Sequence, residues 1–522
     1  MANPGFYSPD KGKVEVRETH VSHVFLAGDG AYKLKKPLQL PFLDASTAER
    51  RHQLCREELR LNRRLAPDVY VGVRAVVRSD DGFKLADEDH PDAFDYAVEM
   101  RRYDEHDTLA SRLADGRVRT PDITVIARTL ADFHASAPPV ITSPSAHDLE
   151  CRLAQNIHEL FTIAEQRPER WRILELMRFT HAFLAAHAST LAERASAGFI
   201  REGHGDLRAE HVLLGSKLQI VDCIEFDRHL REIDTADDLA FLVMDLTAAG
   251  GHNFASSLVR AYRRAGGDPG ADWLVAFYSA HHALTRAKVA LLRAGQFPAN
   301  HPQRVHQGVV ARDLIALAEM FAWRARLPLV IAVCGLPATG KSSLARTIAK
   351  ASGLSHLNSD VTRKRLAGIP PDARGPKWLY SAETNERTYE ELGRLAAAES
   401  ALNSGAVVDA TFRHRADRFA FARRFDEAAP VMFVECCTPA SVMARRAAGR
   451  DRTTHRESDA DTRVTVEEMH SWEPLDEISA ASHLILRSDL PIEMQLTEVQ
   501  ALIDGRLIEL RAHDSTADDG GA

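Results

Sequence analysis

The chain has 522 residues, 45% of them hydrophobic and 27% charged, with a formal net charge of -8. That length allows two to four domains with ordinary cores, and the composition is that of a globular protein. The acidic balance excludes a general nucleic-acid coat; the six cysteines form no CxxC pair, excluding a zinc ribbon; and no run of 18 apolar residues offers a membrane helix.

The opening "MANPGFYSPDKGKVEV" is polar and lacks an apolar core, so no signal peptide is expected and a cytoplasmic, reducing setting is implied. "HVFLAG" and "AYKLKKP" then read as two strands, with Asp29-Gly30 as a two-residue hairpin turn. The pattern is helical from Thr47 to Leu65 and returns to strand in "VYVGVRAVVRS" and "FDYAVEMRRY". From Pro121 to about Trp323 it is mainly helical, broken by a β-like patch from His211 to Phe226. A small mixed lobe (about 14–105) followed by a helical lobe (about 106–325) is an α+β, protein-kinase-like layout for a first domain, 1–325.

Near Arg326 the character changes. "LVIAVCG", "GLSHLNS", "GAVVDATF", "APVMFVECC" and "SHLILRS" are apolar, unalternating strands separated by amphipathic helices. Such strands are buried on both faces, which predicts an α/β domain with a mainly parallel sheet over 326–514. The small, acidic residues 515–522 read as a disordered tail.

Phosphoryl transfer in a kinase-like fold needs a strand lysine on the α- and β-phosphates, a helix glutamate to orient it, a loop base and metal ligands. Strand alternation puts Lys33 and Lys35 on one side of "AYKLKK". Lys33, nearest the strand centre, is the first candidate, Lys35 the alternative; lysines guarding an edge strand would give the same letters. In the following helix Leu54, Leu61 and Leu65 form an apolar stripe that includes Glu58. A carboxylate on a buried face needs a partner, and Lys33 would supply it. "HGDLRAEH" offers Asp206 as catalytic base, and "LQIVDC" places Asp222 just past a short strand, where a metal ligand belongs.

These residues resemble the aminoglycoside-phosphotransferase and choline-kinase-like family, whose loop also reads His-Gly-Asp; the likeness covers about Val14 to Leu317. It implies that "VEM", Val98 to Met100, is the adenine-facing hinge and that Asp238 in "DTADDLAFLVMDL" is structural. No glycine-rich loop over the phosphates is evident. The family's loop ends in a metal-holding Asn, and here His211 stands in its place. Magnesium prefers oxygen ligands. His211 could hold a softer ion such as manganese, turn away and leave Asp222 to hold the metal, mark a site that binds without turnover, or simply pack the loop.

In the second domain "GLPATGKSS" satisfies G-x-x-x-x-G-K-[ST] between an apolar strand and a helix. Backbone groups of Gly335, Leu336, Pro337, Ala338, Thr339, Gly340, Lys341, Ser342 and Ser343 would wrap phosphates, with Lys341 on the outer ones and Ser342 on magnesium. Asp409 ends the strand "AVVDA", where it can hold magnesium through water; a loop or capping aspartate is the plainer reading. Asp360 in "NSD" ends the second strand, where ligands bind in open α/β sheets, and could take a hydroxyl proton with Arg363 beside it. A capping Asp is the alternative there as well. "ARRAAGRDRTTHR" puts Arg446 and Arg450 on one helical face, where they could clamp a transferring phosphoryl group; a solvated basic face is the alternative for most of its arginines.

The segment from about Leu327 to Asp504 resembles the small P-loop kinases of the gluconate-kinase, polynucleotide-kinase and zeta-toxin type. The likeness implies that Lys341 and Ser342 hold nucleotide, that Asp360 lies near the acceptor and that Arg446 or Arg450 forms a lid. The whole chain resembles bifunctional bacterial proteins that join an aminoglycoside-phosphotransferase-type domain to a P-loop ATP-binding domain. The expected activity is ATP- and Mg2+-dependent transfer of a phosphoryl group to a hydroxyl of a small molecule, with Mn2+ as an option at His211. No membrane partner is expected and nucleic acid is disfavoured. The alternatives are a regulatory nucleotide-binding protein with a degenerate kinase-like half, or a nucleic-acid end kinase.

Overall fold

The computed structural model describes residues 14–518 apart from 41–42, 80–81, 141–145, 166, 372, 374, 426–430 and 451–470. By packing the chain divides into two compact units, Met1–Leu149 with Ser189–Ala283, and Glu150–Ala188 with Leu284–Ala522. The helical segments 150–188 and 284–325, which the sequence assigns to a first domain ending at 325, are counted with the second unit. No helix among the described residues is long and apolar enough to cross a membrane.

The first unit opens with β1 (Glu15–Glu18), β2 (Ser22–Ala27) and β3 (Gly30–Lys35), then the short pair β4 (Gln39–Leu40) and β5 (Leu43–Asp44). Helix α1 (Ala48–Asn62) follows, with the Thr47 hydroxyl accepting from the Arg50 N–H at its start. β6 (Tyr70–Ser79), β7 (Gly82–Asp87) and β8 (Ala93–Arg101) complete an antiparallel sheet of order β1-β2-β3-β8-β6-β7. The register Ala27↔Gly30 puts the β2–β3 turn at Gly28-Asp29, one residue before the sequence-predicted position, and Gly28 takes φ +60°. β7 is exposed along most of its length, so it lacks the apolar alternation that reveals a strand.

The sheet buries both faces. Phe25, Ala27, Tyr32 and Val76 pack on one. Leu26, Ala31, Val73, Val98 and Met100 pack on the other, joined by Cys55 of α1 and by Leu213 and Val221. Those last two belong to the region of the hairpin β10 (Val212–Leu214) and β11 (Leu218–Ile220), which follows the helices α2 (Leu109–Ala114), α3 (Thr120–Ser136), α4 (Ala146–Ile163), α5 (Arg170–Ala186) and α6 (Ala188–Ser196) and strand β9 (Ile200–Glu202). β12 (Glu232–Asp234) pairs with β9, and α7 (Thr235–Ala248), α8 (His252–Arg264) and α9 (Asp272–Gly295) follow.

The second unit includes α10 (Pro302–Ala325) and then alternates strand and helix: β13 (Leu329–Cys334), α11 (Lys341–Ser352), β14 (Ser355–Asn358), α12 (Ser359–Leu366), α13 (Ala382–Asn403), β15 (Gly405–Asp409), α14 (Arg415–Ala422), β16 (Val431–Cys437), α15 (Ala440–Arg450), β17 (His483–Arg487) and α16 (Ile492–Asp518). α16 carries the helix past residue 515, the sequence-predicted start of a disordered tail. All five strands are parallel, in the order β14-β15-β13-β16-β17. Alternate residues of β13 face opposite layers. Ile331 and Val333 pack with Leu344 and Ile348 of α11 and Val499 and Ile503 of α16, while Val330 and Ala332 pack with Tyr389 and Leu392 of α13. This is the doubly covered parallel sheet predicted from the unalternating strands.

At the foot of this unit Arg326 donates to both oxygens of Asp504, at 2.7 and 2.8 Å, and its guanidinium lies over the Phe179 ring. Both partners are buried. Removing one member of such a pair leaves an uncompensated buried charge. Asp504→Ala is therefore expected to cost roughly 3–5 kcal/mol in urea unfolding of the full chain. Double replacement of Arg326 and Asp504 by apolar residues should cost much less, and equal losses in the two variants would contradict this account.

Candidate functional site

In the first unit, strand alternation aims Lys33 and Lys35 at α1, where both meet Glu58. Lys33 Nζ lies 2.8 Å from Glu58 Oε1 and Lys35 Nζ 2.7 Å from Glu58 Oε2. Glu58 is fully buried, 0% exposed, so its charge survives only because two ammonium groups flank it. Burial pushes its carboxyl up, but Lys33 and Lys35 outweigh that and hold it below the ordinary value. The choice between the two lysines dissolves: one carboxylate serves both. Packing of Val221 and Leu213 into the sheet core brings Asp222 to the same place, with Lys33 Nζ 2.7 Å from its Oδ1. Asp222 adopts φ +69°, and its N–H donates to the Tyr70 hydroxyl at 3.2 Å. Burial depresses the Lys33 ammonium, yet Asp222 and Glu58 raise it well above its usual value. Glu225, which the sequence reading misses, pairs with Lys35. The available signal was Lys35, a second lysine on the face of a glutamate already paired with Lys33.

The His-Gly-Asp loop hangs from Asp238, the residue for which the resemblance implies a structural role. This fully buried carboxylate accepts from the His204 N–H at 2.7 Å, the Gly205 N–H at 2.9 Å and His134 Nε2 at 3.0 Å. Tyr262 completes the chain, its hydroxyl 2.8 Å from His134 Nδ1. Glycine is required twice: a Cβ at Gly203 would stand 2.6 Å from Asp238 Oδ2, and Gly205 has φ +84° with the Leu230 carbonyl 2.7 Å from any Cβ. Asp206 is thereby presented partly exposed, but Arg208 Nε lies 3.0 and 3.1 Å from its two oxygens. His211 sits beside them, with Nε2 3.7 Å from Asp222 Oδ2. Met100, the proposed hinge residue, ends near the C-terminus of β8 with its side chain in the small-lobe core.

In the second unit the chain runs from β13 to the edge strand β14, returns to β15, and then crosses to β16 on the far side. β13 therefore lies at the switch point, and the loop after it opens at the carboxyl ends of the strands, where ligands bind. Gly335 (φ +133°) and Gly340 (φ +104°) shape that loop, and a Cβ on Gly335 would meet the Cys436 carbonyl at 2.6 Å. Lys341 and Ser342 begin α11, so its free N–H groups and helix dipole face an anion site. Arg446 donates to the Thr339 carbonyl at 2.8 Å and the Ser488 carbonyl at 2.9 Å. As placed it clamps the loop's backbone. Arg450 ends α15, and its side chain, like Arg452 and Arg456, lies outside the described residues.

Asp409, at the end of β15, is 1% exposed. Its Oδ2 accepts from Asn358 Nδ2 at 2.8 Å, while Oδ1 has no hydrogen-bond partner among the described residues. Burial raises its carboxyl, but His356, Lys341 and Ser342 together hold it below the ordinary value. A buried, ionised oxygen beside the P-loop lysine and serine fits a cation or its water. Asn358 caps α12 through the Asp360 and Val361 N–H groups, which removes the capping alternative for Asp360. Asp360 instead meets Arg363 Nη1 at 2.5 Å. Arg363 is buried, holds Asn385 Oδ1 at 3.1 Å and lies over the Tyr380 ring.

Among the described residues no group of three His, Cys, Asp or Glu side chains is disposed to hold a metal. The first unit's donor set does not fit a divalent ion at His211: Arg208 already holds both Asp206 oxygens and His211 Nε2, and Lys33 holds Asp222 Oδ1.

A kinase-like unit with a Lys-Glu pair and a His-Gly-Asp loop, joined to a P-loop unit, defines a two-site, kinase-like protein. A family model described as "AAA domain" matches residues 330–475. Uncharacterized protein Rv2004c of Mycobacterium tuberculosis is 32% identical over 451 residues, covering 84% of this chain and 87% of that one, and the chain belongs to the same family. A choline/ethanolamine kinase family protein from Mesorhizobium loti is similar over 60% of this chain and 92% of its own, at 15% identity and TM-score 0.38. A gluconokinase from Sinorhizobium meliloti is similar over 36% of this chain and 99% of its own, at 21% identity and TM-score 0.27. Scores this low carry no weight beside sheet order and site geometry.

Asp238 gives a pH test. Burial raises its carboxyl, but the His134 and loop N–H contacts lower it strongly. A depressed folded-state value means stability fully present above the ordinary Asp value of about 4 and lost as pH falls through the folded one. The urea midpoint should hold from pH 7 to about 5 and then decline with acid. Asp238→Asn should lower the midpoint at pH 7 and flatten the decline; an unchanged slope would remove Asp238 as its source.

Proposed function

We propose that the protein is an ATP-dependent phosphotransferase that moves the γ-phosphate of ATP to a hydroxyl of a small molecule, with its chemistry centred on the second unit. The observation that carries this reading is the unpartnered oxygen of buried Asp409, set beside Lys341 and Ser342 where the P-loop opens at the end of β13. In this reading the loop N–H groups and Lys341 neutralise the β- and γ-phosphates, and Ser342 and Asp409 hold magnesium, directly or through water. The chemistry magnesium would supply there is charge neutralisation on the phosphates. Arg446 holds the Thr339 carbonyl of the loop at 2.8 Å. Asp360 receives the acceptor's proton, with Arg363 Nη1 2.5 Å from its Oδ1.

For the first unit a second reading has its own support. Lys33, Glu58 and Asp222 form the nucleotide-gripping part of a phosphotransfer site, whereas Asp206 and His211 are both engaged by Arg208. Binding of nucleotide or substrate without turnover is consistent with that arrangement, so the first unit is assigned a binding role and a conditional catalytic one.

The test is ATP consumption across a library of hydroxylated metabolites, with the phosphorylated product identified by mass. Lys341→Ala and Asp409→Asn should each lower phosphorylation by about 10²-fold or more, the usual loss on removing one preorganised electrostatic contact. Asp206→Ala should lower it only for an acceptor handled by the first unit. If neither Lys341→Ala nor Asp206→Ala slows any ATP-dependent phosphorylation, the phosphotransferase reading fails.

A further inference from the structure

The departure at His211 is answered by a residue three positions earlier. Arg208 Nη2 lies 3.0 Å from His211 Nε2, and Arg208 Nε lies within 3.1 Å of both Asp206 oxygens. His211 Nδ1 lies 2.8 Å from the Asp206 carbonyl. A carbonyl only accepts, so Nδ1 carries the proton; a guanidinium only donates, so the Nε2 lone pair is spent on Arg208. The imidazole thus has no free donor atom for an ion. Asp222, the remaining ligand candidate, gives Oδ1 to Lys33 at 2.7 Å, and its Oδ2 faces His211 Nε2 at 3.7 Å. The side chain of Arg208 is only 19% exposed, and Glu210 pairs with its outer edge, so it is built into the loop and does not lie on the surface.

Lys33 and Lys35 are already engaged by Glu58, Asp222 and Glu225, and Arg208 by Asp206. A divalent ion between Asp206 and His211 would have to displace the Arg208 guanidinium that contacts both. The His211 ring also stacks on His204, centroids 6.0 Å apart, which keeps it in this orientation.

We propose that Arg208 is the resident cation of the first unit. Its guanidinium takes the place of a divalent ion between Asp206 and His211, and the site meets the phosphates of a nucleotide through Lys33 and Arg208. The nucleotide rests on the reading given above; the cation assignment does not. His211 is then the guanidinium's acceptor, a positioning residue in place of a metal ligand.

The test uses Mn2+ alone, with the nucleotide-free full-length protein, and counts free ion by electron paramagnetic resonance. No ATP turnover enters, so its failure is distinct from failure of the phosphotransferase reading. Wild type should show no Mn2+ affected by His211→Ala or Asp222→Asn. Arg208→Ala should gain about one Mn2+ per chain, at least tenfold tighter than wild type, and adding Asp222→Asn should abolish it. Arg208→Lys, which keeps a cation, should gain none. The proposal is overturned if wild type holds an Mn2+ that His211→Ala or Asp222→Asn releases, or if a folded Arg208→Ala chain gains none. Should Arg208→Ala fail to fold, the wild-type and His211→Ala comparison still decides, because a resident Arg208 predicts no difference between them.

Discussion

A charge taken out of water must be matched by an opposite charge or by hydrogen-bond donors, and the rest of this structure depends on that constraint. Desolvating one ion costs several kcal/mol, so buried Glu58, Lys35 and Asp238 each have specific partners. Glu58 draws in Lys33 and Lys35, and these draw in Asp222 and Glu225 from a segment more than 160 residues further along. The strand, the helix and the loop of the first unit are thus fixed to one another by the same atoms that would grip a nucleotide. Asp238 does the same for the His-Gly-Asp loop with neutral donors, two N–H groups and an imidazole.

The second unit obeys the rule at Arg326–Asp504 and Arg363–Asp360 and breaks it at one place that matters. Asp409 has one oxygen satisfied by Asn358 and one left over, buried beside the P-loop. A buried carboxylate oxygen without a partner beside the P-loop is the feature on which the proposed cation site rests. In the first unit Arg208 lies against both Asp206 and His211. The two sites are therefore chemically unlike: one keeps a buried carboxylate oxygen without a hydrogen-bond partner among the described residues, and the other sets Arg208 against Asp206 and His211.

The motifs were legible because their letters have few other uses. Gly335, Gly340 and Lys341 at fixed spacing, between an apolar strand and a helix, can be read without a fold. So could Glu58, a carboxylate on an apolar stripe, and the five unalternating strands of the second unit. What the letters misplace is local and has local causes. The β2–β3 turn moves one residue because Gly28 takes the positive φ. β7 is missed because an exposed edge strand carries no apolar alternation. Glu225, Asn358 and Arg208 are missed because their partners lie far away in sequence, or because the partner's need is visible only once burial is known.

By itself the sequence determined the two architectures, the P-loop, and the candidates Lys33, Glu58, Asp206, Asp222 and Asp409, since periodicity and motif spacing are properties of neighbours along the chain. Tertiary structure alone decided that Lys33 and Lys35 share Glu58, that Arg446 reaches back to the Thr339 carbonyl, that Asp409 keeps one unmatched oxygen, and that Arg208 fills the space beside His211. Those outcomes depend on which charges lose water together, and that is set by distances across the fold, which no local pattern of residues encodes.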